Sequence, residues 1–127
     1  GDQERKVAML GLTFKVGTDD LRESPSLKIA SLLLELGVKI VGYDPHVTTA
    51  PLEGLEIVES VEEAIKNSDV LVVLTEWEGF ADLDPSKLLE LMKGKSIVDT
   101  RCVLDRQNFI EAGFSVWQTG QGWGKSV

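Results

Sequence analysis

Short apolar runs alternate with helical patterns along this chain. Lys6 to Leu10, with Val7, Ala8 and Met9 between them, predicts a buried strand that ends at Gly11. Ser24-Pro25 predicts a helix start, because a Ser side chain caps free N–H groups and Pro suits the first helical position. Leu27, Ala30 and Leu33 or Leu34 then recur at the spacing of one buried helix face. Gly37 stands where a left-handed cap is expected. Val38 to Tyr43 predicts a second strand closed by Asp44-Pro45, and Leu55 to Val58 a short third. Ser60, with Glu63 three residues on, has the spacing of a capping box. Asp69 to Leu74 contains an unbroken apolar run, the mark of a central strand covered on both faces. Asp84-Pro85 opens a helix over Ser86 to Met92, stopped by Gly94. Ser96 to Val98 predicts a strand leading into Asp99-Thr100-Arg101, Leu104 to Ala112 a helix ended by Gly113, and Phe114 to Gln118 a last strand.

Strands that alternate with helices in this way build βαβ units, and right-handed crossovers then give a doubly wound α/β fold. The expected domain is Rossmann-like, a single domain with a mainly parallel sheet of about five to six strands over residues 1–119. Residues 120–127, which hold Gly120, Gly122 and Gly124, read as a flexible tail. Such folds bind ligands outside the C-terminal ends of their strands. The segments to watch are therefore Leu12 to Glu23, Asp44 to His46, Thr75 to Phe80, and Asp99 to Arg101.

Composition narrows the function classes. The chain has 127 residues, enough for one core but short for an enzyme that must hold both a dinucleotide and a large second substrate. Its net charge of −8 argues against a nucleic-acid or anionic-membrane partner. The single Cys102 forms no internal disulfide, and with one histidine, His46, no metal site is expected. No apolar run nears the ~20 residues of a membrane span. Gly1 to Lys6 is polar and unlike a signal peptide, so a soluble cytoplasmic domain is expected.

The loop from Leu12 to Glu23 is long for a βα connection, where about 2–6 residues is usual. Its Phe14 and Lys15 suit a nucleotide, the ring against an apolar face and the ammonium against an anion. Arg22, beside acids, suits either a ligand or an ion pair. Gly11 and Gly17 lack the spacing of a dinucleotide-binding loop. Asp44 has the position of a ribose-binding acid, yet without those glycines an Asp-Pro turn is the favoured role. Arg101 is placed to hold a phosphate or carboxylate bidentately, or else to pair with Asp99 or Asp105. Cys102 is either an activated thiol or, as no base is tied to it by a motif, an ordinary half-buried one. Trp77, Trp117 and Trp123 read as core or interface packing.

Taken together, some of these segments resemble a known family. Gly-Leu-Thr-Phe-Lys-Val-Gly-Thr-Asp-Asp-Leu-Arg-Glu-Ser-Pro-Ser at 11–26 is similar to the signature of the C-terminal domain of nucleotide-sugar 6-dehydrogenases. Tyr43-Asp44-Pro45, Thr75-Glu76-Trp77 and Asp99-Thr100-Arg101 follow in the same order as in that domain. The likeness covers nearly the whole chain and is greatest to the UDP-glucose branch. The UDP-N-acetylmannosamine branch, with a similar Asp-Thr-Arg, and the GDP-mannose branch, expected to lack that arginine, are the alternatives.

The resemblance implies an NAD-dependent oxidation of UDP-glucose to UDP-glucuronate by the full enzyme. It assigns Phe14, Lys15 and Arg101 to the UDP-sugar and Arg22 to NAD across a domain interface. Asp19, Asp20 and Glu23 are expected to steady the two loop cations. The catalytic Cys and most of the NAD site belong to an N-terminal domain of the same polypeptide. Cys102 does not match that Cys, so no catalytic residue is assigned here and the isolated chain is expected to be inactive. A homodimer is implied for the full enzyme. A receiver-like signalling module fits poorly, because Asp19-Asp20 come late after the first strand. A stand-alone nucleotide-binding protein is the remaining reading.

Overall fold

A computed structural model describes residues 5–12, 25–50, 52–76 and 79–125. Among them the elements run in the order β1 (Lys6–Leu10), α1 (Pro25–Glu35), β2 (Lys39–Tyr43), β3 (Leu55–Ile57), α2 (Val61–Ile65), β4 (Val70–Val73), α3 (Pro85–Leu91), β5 (Ser96–Asp99), α4 (Arg106–Ala112), β6 (Ser115–Gln118) and β7 (Gly122–Gly124). One sheet holds all seven strands in the order β3-β2-β1-β4-β5-β6-β7, parallel except for the β6–β7 pair. This is the doubly wound, Rossmann-like arrangement expected from the alternation of patterns, with its topological switch between β1 and β4.

The central strands explain why the sheet has two cores. Ala8 and Leu10 of β1, with Leu71 and Val73 of β4, face the side packed by α2, α3 and α4. Val7 and Met9, with Val72, face the side packed by α1. An unbroken apolar run is needed because both faces are dry.

Helix ends follow the predicted chemistry. Gly37 has φ +81, and the Val38 N–H reaches Leu33 O at 3.1 Å, a left-handed cap. Glu63 N–H donates to Ser60 Oγ at 3.2 Å, the N-cap half of a capping box, while the Glu63 carboxylate takes the Ser60 hydroxyl at 3.2 Å in place of the Ser60 backbone N–H. Asp84 and Asp105 cap α3 and α4, and Gly113 ends α4 at φ +117. The Ser24 cap lies outside the described residues.

Two features differ from the pattern-based reading. A 3-10 turn at Phe80–Asp82 buries Phe80 against Tyr43, ring centroids 6.3 Å apart; three residues are too few to show a period. The sheet has seven strands rather than five or six, because Gly122–Gly124 pairs antiparallel with β6. A glycine-rich segment gives no apolar alternation, so the strand leaves no mark in the hydrophobic pattern. Here Arg106 Nη1 donates to Gly122 O at 3.0 Å, and a Cβ on Gly124 would collide with Arg106 and Ile110. No helix among the described residues is long and apolar enough to cross a membrane.

Candidate functional site

At the C-terminal edge of the sheet two acidic residues are buried and both hold backbone. Asp44 follows β2 and is 2% exposed. Its Oδ2 accepts from Leu12 N–H at 2.7 Å, fixing the exit of β1, and its Oδ1 accepts from His46 N–H at 2.8 Å across Pro45. The Asp-Pro turn expected from the sequence is therefore formed, and the same carboxylate ties two neighbouring strand ends together.

Asp99 ends β5 and is fully buried. Its Oδ1 accepts from the N–H groups of Arg101 and Val103 at 3.2 and 3.1 Å. Its Oδ2 accepts from Leu104 N–H at 2.8 Å and from Gln118 Nε2 at 2.9 Å. Four donors thus offset the desolvation of the carboxylate without a cation. The chain wraps around this side chain, and the outer point of the wrap is Cys102, with φ +54.

That wrap decides where Arg101 goes. Its backbone faces Asp99, so its side chain is turned outward, and the sequence-based pairing with Asp99 or Asp105 does not form. Asp105 accepts instead from Asn108 N–H at 3.2 Å as the α4 cap. The Arg101 guanidinium meets Glu76, after β4: Nε and Nη2 both donate to Oε1, Nε at 3.2 Å. The two side chains are 41% and 59% exposed, so the pair is a surface one, worth about 0–1 kcal/mol. Both line a groove of about 400 Å³ with Gly79, Asp82 and Cys102. Among the described residues Arg101 is its one cation, with N–H groups left over for a planar anion.

Cys102 is exposed rather than half-buried, because the Asp99 wrap pushes it outward. Its Sγ lies 3.6 Å from Thr119 O. At the switch point itself, Gly11 (φ +96) packs so closely on Thr75 that a Cβ would overlap the Thr75 hydroxyl. Thr75 Oγ1 is buried and has no hydrogen-bond partner among the described residues. A second open groove of about 380 Å³ lies beside Asp44, between the ends of β2 and β3.

Phe14, Lys15 and Arg22, with Asp19, Asp20 and Glu23, lie outside the described residues, as do Trp77 and Glu78. Of the site residues expected from the sequence, Arg101 is the one described. Glu76 enters the sequence reading only within the Thr75-Glu76-Trp77 element of the resemblance, with no site role, and Gln118 only as the end of the last predicted strand. A partner of Arg101 twenty-five positions away, or a buried glutamine on the last parallel strand, has no local pattern to announce it. No group of three His, Cys, Asp or Glu side chains among the described residues is placed to hold a metal ion.

Comparison with known proteins points in one direction. Residues 8–106 match the model of the UDP binding domain of the UDP-glucose/GDP-mannose dehydrogenase family. The UDP-glucose 6-dehydrogenase of Rhizobium meliloti is 36% identical over 119 residues, which are 91% of this chain and 27% of that protein. The UDP-N-acetyl-D-mannosamine dehydrogenase of Methanococcus vannielii is 34% identical over 123 residues, 94% of this chain and 28% of that protein. The crystal structure of an NDP-N-acetyl-D-galactosaminuronic acid dehydrogenase from Methanosarcina mazei superposes with a TM-score of 0.83 at 32% identity, covering 94% of this chain and 25% of that one. The chain therefore spans a little over a quarter of the length of the curated relatives it matches.

Proposed function

The chain belongs to the UDP-glucose/GDP-mannose dehydrogenase family, as its UDP-binding domain, and from that premise we propose that it is the nucleotide-holding part of an NAD-dependent UDP-glucose 6-dehydrogenase. In this reading the full enzyme oxidises C6 of UDP-glucose to the carboxylate of UDP-glucuronate. The observation that carries the assignment is Arg101, an outward guanidinium at the end of β5 on the rim of a groove. A diphosphate there gains charge-assisted hydrogen bonds from the N–H groups that Glu76 leaves over. Phe14 and Lys15 are the further residues that contact the UDP-sugar.

NAD binds mainly to an N-terminal domain of the same polypeptide, with Arg22 reaching it across the domain boundary. The lack of dinucleotide-loop spacing between Gly11 and Gly17 supports this division. The catalytic Cys belongs to that other domain, and Cys102 has no catalytic role. The full enzyme is a cytoplasmic homodimer, and the UDP-binding domain alone turns over no substrate.

The structural likeness to a dehydrogenase of an N-acetylated sugar nucleotide favours one second reading, a UDP-N-acetylmannosamine dehydrogenase. Full-length protein assayed with NAD+ and, in turn, UDP-glucose, UDP-N-acetylmannosamine and GDP-mannose separates the readings. The highest kcat/KM is expected with UDP-glucose. Preference for either other substrate overturns that choice, and turnover by residues 1–127 alone overturns the division of labour.

A further inference from the structure

Helix α1 has two apolar faces. Leu27, Ala30 and Leu34 turn to the sheet, with Ala30 fully buried. At about 100° per residue, Ile29, Leu32, Leu33 and Leu36 fall on a second stripe. Leu36 N–H reaches Leu32 O at 3.3 Å and Leu33 O at 3.1 Å, so the last helical turn carries the stripe through Leu36. Ile29 and Leu33 form its half-buried shoulder. Leu32 and Leu36 point away from the sheet and are 62% and 77% exposed. With Trp123 they are the large apolar side chains left exposed among the described residues, and these two stand one turn apart on one helix. The outward face of a surface helix is ordinarily polar.

Two charges border this stripe. Lys28 and Glu35 are both exposed and stand two helical turns apart, on the same flank. Among the described residues neither pairs with another charge of the chain. Their order suits a twofold arrangement. When a second α1 lies antiparallel on the first, with the axis between Leu32 and Leu33, Ile29 of each copy faces Leu36 of the other. Like flanks of two antiparallel helices then meet, and Lys28 of one copy comes within about 3 Å, measured along the helix, of Glu35 of the other. Symmetry makes this pair twice. A parallel pairing instead sets Lys28 against Lys28 and Glu35 against Glu35.

We infer that the outward face of α1, centred on Leu32 and Leu36, is an interface between two copies of this chain, packed antiparallel about a twofold axis. The self-complementary order of the flanking charges chooses that occupant. A lipid surface fits less well, because Lys28 and Glu35 cancel and the chain carries a net −8. Two leucines and their shoulder on one short helix offer less than the about 800 Å² that each side of a standard interface buries. The contact is therefore weak by itself and reversible with concentration, whatever other contact the full enzyme makes. The inference uses neither the ligand assigned to Arg101 nor the substrate, so it stands or falls separately from the proposed function.

Carbodiimide coupling of full-length protein, mixed from unlabelled and isotope-labelled copies, tests it. The reagent joins a lysine to a carboxylate only where the two touch. Within one helix Lys28 and Glu35 lie about 10 Å apart, so a Lys28–Glu35 product of mixed isotope content bridges two copies, and that product is expected. Its absence at protein concentrations up to about 1 mM overturns the inference. Sedimentation velocity over the same range is expected to show a mass that rises with concentration. Leu32→Glu is expected to weaken this association about tenfold with Tm nearly unchanged, since the position is exposed. Association that Leu32→Glu leaves intact lies elsewhere on the molecule and overturns the inference. A fall in Tm without a change in mass puts a segment of the same chain on this face and overturns it too. Lys28→Glu and Glu35→Lys are each expected to weaken association, and the two together to restore it; a double variant as weak as the single ones refutes the antiparallel pairing.

Discussion

Asp99 and Glu76 end adjacent strands at the same edge of the sheet, and both influence Arg101, in opposite ways. Asp99 is buried and takes four N–H donors, three of them backbone. Glu76 is exposed and, among the described residues, takes only the Arg101 guanidinium. The buried acid shapes the loop, and the exposed one touches only what the loop presents. Charge at a strand end therefore has two separable uses. Inside, a carboxylate replaces the water that backbone N–H groups have lost. Outside, in high dielectric, the same group contributes little to stability and leaves its partner available to a ligand.

Substitutions separate the two uses. Asp99→Ala orphans three backbone donors and takes from the Gln118 amide one of its two acceptors, leaving it Leu104 O, and an expected loss of about 3–4 kcal/mol in urea unfolding follows. If the loss is under about 1 kcal/mol, the carboxylate does not organise the loop. Arg101→Ala reverses the balance. Stability is expected to change by less than about 1 kcal/mol, while kcat/KM of the full enzyme for its nucleotide sugar falls by about 2–3 kcal/mol, roughly 30- to 150-fold. Wild-type kinetics in that variant remove Arg101 from the site.

Glu76→Gln sharpens the contrast further. It leaves the fold intact and removes a carboxylate that competes with phosphate for Arg101. UDP binding by calorimetry is expected to tighten by about two- to fivefold. Weaker binding instead makes Glu76 a residue that positions the guanidinium.

The opposite edge supplies the smallest effect. Lys6 and Lys39 pair directly across β1 and β2. Burial, and then the charges of Lys39 and Lys66, hold the Lys6 ammonium pKa below the usual lysine value. Folded Lys6 thus loses its proton before unfolded Lys6 does, so the unfolded state binds more protons in the interval below 10.5 and stability rises with pH there. Lys39→Gln is expected to add about 0.5 kcal/mol near neutral pH and to flatten that rise. Unchanged stability–pH curves in the variant discard the like-charge contact.

Much of the scaffold was legible in residue pattern. The apolar run from Val70 to Leu74 marked a strand buried on both faces, and Ser60 with Glu63 marked a helix start, because these signals are local. The edge that carries the site was legible too, since parallel α/β topology puts ligands at strand ends. The partner of Arg101 was not. Asp99 and Asp105 are near in sequence, but the backbone donors that Asp99 collects consume it and Asp105 caps a helix, so the guanidinium turns to Glu76 across the sheet. The Gly-Trp-Gly strand was illegible for a related reason, because it is held by Arg106 and β6 and not by its own apolar period.

The sequence by itself thus determined the order of elements, the double apolar face of the central strands, the helix caps and the family signature. Each depends on neighbours within a few residues or on composition along one strand. Only the tertiary structure decided which charges meet, which threonine packs against Gly11, and which strand the Gly-Trp-Gly segment pairs with. Those depend on strand order and register, which bring residues tens of positions apart within a few ångströms of one another.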